Sequence, residues 1–206
     1  KLEFELRRPV AKLGVFAAKR PGEAAELRIT GLTMLEQGTR MHNYLMPQDR
    51  AVLEQVQSMS APLELDPVTA AVGELTVPAT ATEEEARRNP ANYTPVLDTP
   101  FYPFENPWGN GGSWDIPGDE QGNVLKIDYE FGGESRTGLI FLPAMECNRY
   151  YTVCCLISNT GKFTVEYMVA DWEEGDSWDD LIFDYPSYTN PLSAEPTAST
   201  VPAEAP

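Results

Sequence analysis

Histidine is nearly absent from this chain: His42 is the only one in 206 residues. Any Ser-His-Asp or Cys-His nucleophilic scheme would have to pass through that side chain. It sits in the polar, turn-like stretch Thr39-Arg40-Met41-His42-Asn43-Tyr44, which reads as an exposed loop. Cysteine is scarce as well. Cys147, Cys154 and Cys155 are odd in number and lack a framework spacing, which argues against a disulfide-stapled fold. Cys154 and Cys155 are neighbours on an extended segment, so they point to opposite faces and cannot readily share a metal. With one histidine there is no paired zinc motif, and buried apolar cysteine is the reading that remains.

Positive charge is in short supply too. Lys and Arg number 15 against 32 Asp and Glu, for a net charge of −17 and a sequence pI of about 4.3. That balance disfavours nucleic acid, whose binding needs a basic face, and anionic membrane surfaces. No apolar run reaches the roughly 18 residues of a membrane-spanning helix. The start carries neither a signal peptide nor a lipid-attachment cysteine, and Lys1 does not read as a natural beginning, so removal of an upstream segment is expected.

What is present is a core and many turns. Hydrophobic residues make up 42% of the chain, and 18 prolines with 15 glycines indicate many short strands. From Leu6 to Phe16 the sequence alternates, with Ala11, Leu13 and Val15 on one face and Val10, Lys12 and Gly14 on the other. Leu27 to Met34 alternates more clearly, with an irregularity at Gly31 that suggests a bulge. Between Pro47 and Met59, Val52, Leu53 and Val56 have helical spacing, with Asp49 as a cap. Ala70 to Val77 is a strand candidate, Thr82-Glu83-Glu84-Glu85 resembles a capping box, and Asn89 to Gly118 reads as a long crossover or loop. Val124–Phe131, the turn Gly132–Ser135 and the return Thr137–Leu142 form one hairpin. Tyr150–Ile157 and Phe163–Trp172, joined by Ser158–Lys162, form another. Runs of strands with little helix predict an all-β sandwich over residues 1–172. Residues 173–206 form an extension that is acidic at first, strand-like over Leu181–Tyr185, then rich in Pro, Ala, Ser and Thr.

No catalytic constellation stands out. The acidic run Asp171–Asp180 lacks the alternating spacing and central glycine of a calcium loop and reads as a solvated linker; Asp115, Asp119 and Glu120 say less. Carboxylates are abundant, and no two stand out as a glycosidase pair. Gly109-Asn110-Gly111-Gly112 carries no Lys-Ser/Thr and opens no helix, so it is a turn and not a phosphate cradle. Four tryptophans, Trp108, Trp114, Trp172 and Trp178, invite a sugar platform; Trp172, closing a strand, fits core packing better, while Trp108 and Trp114 are the surface-recognition candidates. No metal or cofactor is implied.

Four segments in order resemble the type V fimbrillins, pilus subunits of Bacteroidia. Phe101-Tyr102-Pro103-Phe104-Glu105-Asn106 resembles their aromatic-aromatic-x-x-Glu-Asn signature. Glu146–Val153 is similar to their Arg-Asn-His-x-Tyr strand entry, with Cys147 in place of the arginine and Arg149 in place of the histidine. Tyr167–Trp172 resembles the closing x-Val-x-x-Trp strand, and Arg8–Leu13 an upstream Arg-x-x-Ala-Arg/Lys strand. The resemblance implies a transthyretin-like Greek-key β-sandwich, the C-terminal domain of a two-domain lipoprotein whose N-terminal strand is trimmed by a protease. It implies a non-enzymatic, outer-membrane-attached fimbrium on the cell surface, its partners being other pilin subunits and a host or bacterial surface ligand. It further implies polymerisation by donation of the C-terminal extension. Residues 180–186 are the candidate donor strand, because Leu181, Phe183 and Tyr185 share one face of an extended segment, the spacing a sheet groove requires. Head-to-tail exchange does not close, so it builds a filament. A tip adhesin or carbohydrate-binding module using Trp108 and Trp114 is the alternative.

Overall fold

The computed structural model describes residues 8–39, 50–58, 61–67, 71–109, 122–171 and 188–189. Two sheets face each other. The first runs β10-β9-β8-β1-β5, where β1 is Lys12–Lys19, β5 Thr94–Pro95, β8 Arg149–Ile157, β9 Phe163–Asp171 and β10 Tyr188–Thr189. The second runs β3-β2-β6-β7, with β2 Leu27–Glu36, β3 Leu63–Leu65, β6 Val124–Phe131 and β7 Glu134–Phe141; β4, Ala71–Val72, also pairs with β2. Among the described residues helix is confined to short insertions, α1 at Arg50–Val56, α2 at Glu83–Arg87 and a 3-10 turn at Pro90–Asn92. The chain is therefore an all-β sandwich with short helical insertions, as its strand patterning predicts.

The alternation of each strand places one apolar face in the gap between the sheets. Leu13, Val15, Val153 and Cys155 of the first sheet meet Leu27, Ile29, Ile127 and Ile140 of the second, all at 1% exposure or less. Closing that gap is the main favourable term in folding, about 25 cal/mol for each Å² of apolar surface removed from water. The β6–β7 hairpin is closed by Gly132 and Gly133, with φ of +61° and +84° between the paired Phe131 and Glu134. Positive φ at both central residues defines a type I′ turn, whose twist matches that of the strands it joins. In the β2–β6 pairing the register slips between Ile29 and Gly31, the bulge that Gly31 announces.

Two features depart from the sequence reading. The candidate strand Ala70–Val77 shortens to Ala71–Val72, after which Glu74 bridges Lys19 and the Leu75 N–H donates to the Lys19 carbonyl at 2.9 Å. The second departure is long-range. β1 runs parallel to β8, Lys12 opposite Tyr150 through Lys19 opposite Ile157, joining the N-terminal strand to the C-terminal hairpin. Strand β8 is thus buried on both faces, and every residue from Tyr150 to Ile157 is buried. Its outer face, with Cys154 and Leu156, packs under Leu75, Ala86 and Tyr93 from residues 74–93, which lie over the sheet as a clasp. Cys154 and Cys155 accordingly fill two separate apolar clusters, and burial pushes both thiols up.

Candidate functional site: the sheet edges and the Trp108 corner

A strand subunit that exchanges segments needs an edge with unpaired backbone groups, so the state of each edge decides what the sandwich can do. One edge is closed by a strap formed from residues 94–106. Val96 donates to the Val15 carbonyl at 2.8 Å, Phe101 and Leu13 exchange both backbone bonds at 2.9 and 2.7 Å, and Ala11 donates to the Pro103 carbonyl at 2.9 Å. Phe104 then bridges Val10. The strap contains Pro95 and Pro103, which have no N–H to offer and suit an outermost position.

The opposite edge of that sheet is β9. There Tyr188 pairs with Tyr167 and Thr189 with Glu166, antiparallel. The chain's own extension thus meets this edge as a strand, two residues beyond the candidate donor region. The donor candidates Leu181, Phe183 and Tyr185 lie outside the described residues, as do Trp114, His42, Trp172 and Trp178. In the second sheet, β7 pairs with β6 along its whole length and has no partner on its far side among the described residues. Glu134 and Arg136 stand near the start of β7, ion-paired at 2.7 Å, and charge on an outermost strand discourages unwanted pairing.

The segment that resembles the fimbrillin signature proves to be architectural. Phe101 bridges Leu13 of β1, and Phe104 bridges Val10 just before that strand. Asn106 is wholly buried; its backbone exchanges two 2.8 Å bonds with Met145, its Nδ2 donates to Asn123 Oδ1 at 3.0 Å, and its Oδ1 accepts the Trp108 N–H at 3.0 Å. Trp108 is half-buried at this corner, its backbone fixed by Asn106. The next residue, Gly109, approaches Ala144 so closely that a Cβ there would lie 2.6 Å from the Ala144 nitrogen. The strand entry at residues 146–151 is architectural too. Tyr151 Oη accepts the Glu146 N–H at 2.7 Å and donates to the Ala144 carbonyl at 3.1 Å, and burial pushes its phenol up. Arg149 pairs with Glu146 at 3.6 Å.

One charged site escapes a reading of the sequence. Glu166 occupies an outward position of β9, where alternation predicts a solvent-facing residue, yet its side chain is 1% exposed beneath the clasp, with Arg87 Nε 3.9 Å away. The only signal was its company: Met168 and Ala170 share its face. Among the described residues, no cluster of three or more His, Cys, Asp or Glu side chains could hold a metal ion, and no helix is long and apolar enough to cross a membrane.

No known family model matches the sequence, and no curated protein matches it either. Among solved structures the chain is similar to a fimbrial protein from Bacteroides vulgatus ATCC 8482, at 14% identity and a TM-score of 0.46 over 80% of this chain and 54% of that one. It is also similar to a candidate cell adhesion protein from Parabacteroides distasonis ATCC 8503, at 10% identity and a TM-score of 0.44 over 83% of this chain and 54% of that one. The chain therefore spans about half the length of each of those proteins. A likeness at this level says nothing about function, which rests on the geometry of the sandwich and its edges.

Proposed function

We propose that this protein is a structural subunit of a cell-surface fibre of the type V fimbrillin kind, assembled by exchange of its C-terminal extension between neighbouring copies. The observation that carries the reading is the pairing of Tyr188 and Thr189 with β9: the extension behaves as an edge strand on a sheet of this same architecture. A segment able to add to an edge within one chain can add to an edge in another, where alternate side chains fill pockets and the backbone bonds supply affinity. The candidate side chains for those pockets are Leu181, Phe183 and Tyr185. Such a subunit works by packing and not by turnover, is displayed outside the cell, and has other pilin subunits as its partners. The strap motif, in which Phe101 and Phe104 are half-buried bridge residues and Asn106 is buried, serves the fold and fits that role.

The test is removal of residues 173–206 from the full-length protein in the producing cell. The expected result is a folded protein that no longer enters surface fibres. Incorporation at the normal level would refute the exchange. A second reading, a tip adhesin or carbohydrate-binding module, is favoured by the half-buried Trp108 fixed at the Asn106 corner. A glycan array separates the two, since a stalk subunit gives no signal and a tip module loses its signal with Trp108→Ala.

A further inference from the structure

Among the described residues Glu166 is the one carboxylate that is buried. Every element packed on it contributes a polar or ionisable group. From α2, Arg87 approaches to 3.9 Å, and Arg88 and Glu84 act on it through space. From β8, Cys154 is its register partner. Tyr93, just past the 3-10 turn, feels its charge, and on the edge side β10 places Thr189 opposite it. Neither carboxylate oxygen makes a hydrogen bond, and neither does the buried Nε of Arg87. A charge in that position lacks the hydrogen bonds that normally offset the loss of water.

The layer that seals it is slight. Residues 74–93 tie to the sheet through Glu74 and Leu75 at Lys19 and through the small apolar cluster of Leu75, Ala86 and Tyr93. Glu74 also accepts the Gly22 N–H at 3.4 Å and Arg87 reaches Glu166, while further bonds are internal: Asn92 Nδ2 to the Ala86 carbonyl at 3.0 Å, Tyr93 Oη to the Arg87 carbonyl at 2.9 Å, and the Thr82–Glu85 capping box. None of these residues belongs to the core between the sheets, so opening of the clasp would leave that core in place. Lifting it is also the direct way to bring water to Glu166.

We propose that Glu166 is a charge-sensitive latch: neutral, it lets the clasp of residues 74–93 lie closed on β8 and β9, and ionised, it favours opening of the clasp. The proposal is independent of the fibre reading. Burial pushes Glu166 up to about 7, against the opposing pull of Arg87 and Arg88. The closed state thus holds a proton through a range in which a solvated glutamate, at an ordinary 4.5, has lost it. The closed form binds more protons across that interval, so opening rises with pH between about 4.5 and 7 and levels off above. The nearby Glu85 acts oppositely and elsewhere. Its bonds to Thr82 lower it, so its support for α2 is lost only as pH falls below the ordinary glutamate value.

Hydrogen exchange of the intact protein tests the latch. The amide of Leu75, whose bond to the Lys19 carbonyl breaks when the clasp lifts, is followed from pH 5 to 8, corrected for intrinsic rates, with β8 amides as the reference for global unfolding. The expected result is a clasp-opening constant that rises several-fold per pH unit up to pH 7 and then flattens. In Glu166→Gln the rise disappears. In Arg87→Gln, which removes the nearest cation, it continues to higher pH. A Leu75 amide that follows β8 in both size and pH slope would overturn the proposal, as would an unchanged slope in Glu166→Gln. Should Glu166→Gln fail to fold, Arg87→Gln decides: a plateau at the wild-type pH overturns the latch.

Discussion

Replacing Asn106 by alanine tests whether the aromatic-aromatic-x-x-Glu-Asn segment serves architecture. Asn106 is fully buried, and its side chain spans two pieces of chain: Nδ2 donates to Asn123 at 3.0 Å and Oδ1 accepts the Trp108 N–H at 3.0 Å. Asn106→Ala removes both bonds at once. Each is worth about 1 kcal/mol net, and desolvated groups deprived of a partner cost about 1–3 kcal/mol more. A loss of about 2–4 kcal/mol follows, a large share of the roughly 5–15 kcal/mol available to a single domain. The backbone bridge of Asn106 to Met145 is unchanged by the substitution, so the fold is retained and the loss is measurable. Denaturant titration should show a lower midpoint with an unchanged slope. A double-mutant cycle with Asn123→Ala isolates the shared bond, and a coupling of about 0.5–3 kcal/mol is expected. A loss under 0.5 kcal/mol together with zero coupling would refute the reasoning and release the motif for a role at the surface.

Three further outcomes follow from close contacts and caps. A Cβ on Gly14 would meet Tyr150 Oη at 2.7 Å and Phe16 at 2.9 Å, so Gly14→Ala should lower stability by about 1–3 kcal/mol, and Tyr150→Phe should recover part of that in a thermal melt. Thr82→Ala removes the capping box and should cost about 1 kcal/mol of local α2 stability, read by exchange of the Ala86 amide. The difference from wild type should shrink as pH drops below the ordinary glutamate range, because the Glu85 carboxylate that completes the box is lowered by its bonds to Thr82 and becomes protonated there. In native protein at neutral pH, thiol labelling should modify the half-buried Cys147 first, while Cys154 and Cys155, both at 0% exposure, react only on opening. Labelling of all three at one rate would contradict the buried positions of the pair.

Where structure follows from local pattern, the sequence is a sufficient guide. Val124–Phe131 alternates without interruption and the strand has those bounds, while the turn expected over Gly132–Ser135 narrows to Gly132-Gly133 because Glu134 and Ser135 pair with Phe131 and Glu130. Thr82 and Glu85 stand at capping-box spacing, and both reciprocal bonds form. Other features have no local signature. The parallel β1–β8 pair joins segments far apart in the chain, and a strand buried on both faces, such as β8, shows an apolar run that does not name its neighbours. The strap of residues 94–106 reads as loop because prolines and isolated bridges leave no alternation. The burial of Glu166 has no mark of its own in the sequence, because alternation fixes which face a residue occupies but not what covers that face. Of the candidate site, Trp108 falls at a defined corner, while Leu181, Phe183, Tyr185 and Trp114 lie outside the described residues.

In the proposed assembly the extension of one copy completes a sheet of the next. Imaging the native surface assembly at side-chain resolution, with the chain traced from residue 179 to residue 206, tests it most directly. The expected result is a strand over residues 180–186 lying in a neighbouring subunit, with Leu181, Phe183 and Tyr185 in its pockets. An extension that stays on its own β9 edge in the assembly, or a protein that is never part of a fibre, would contradict it.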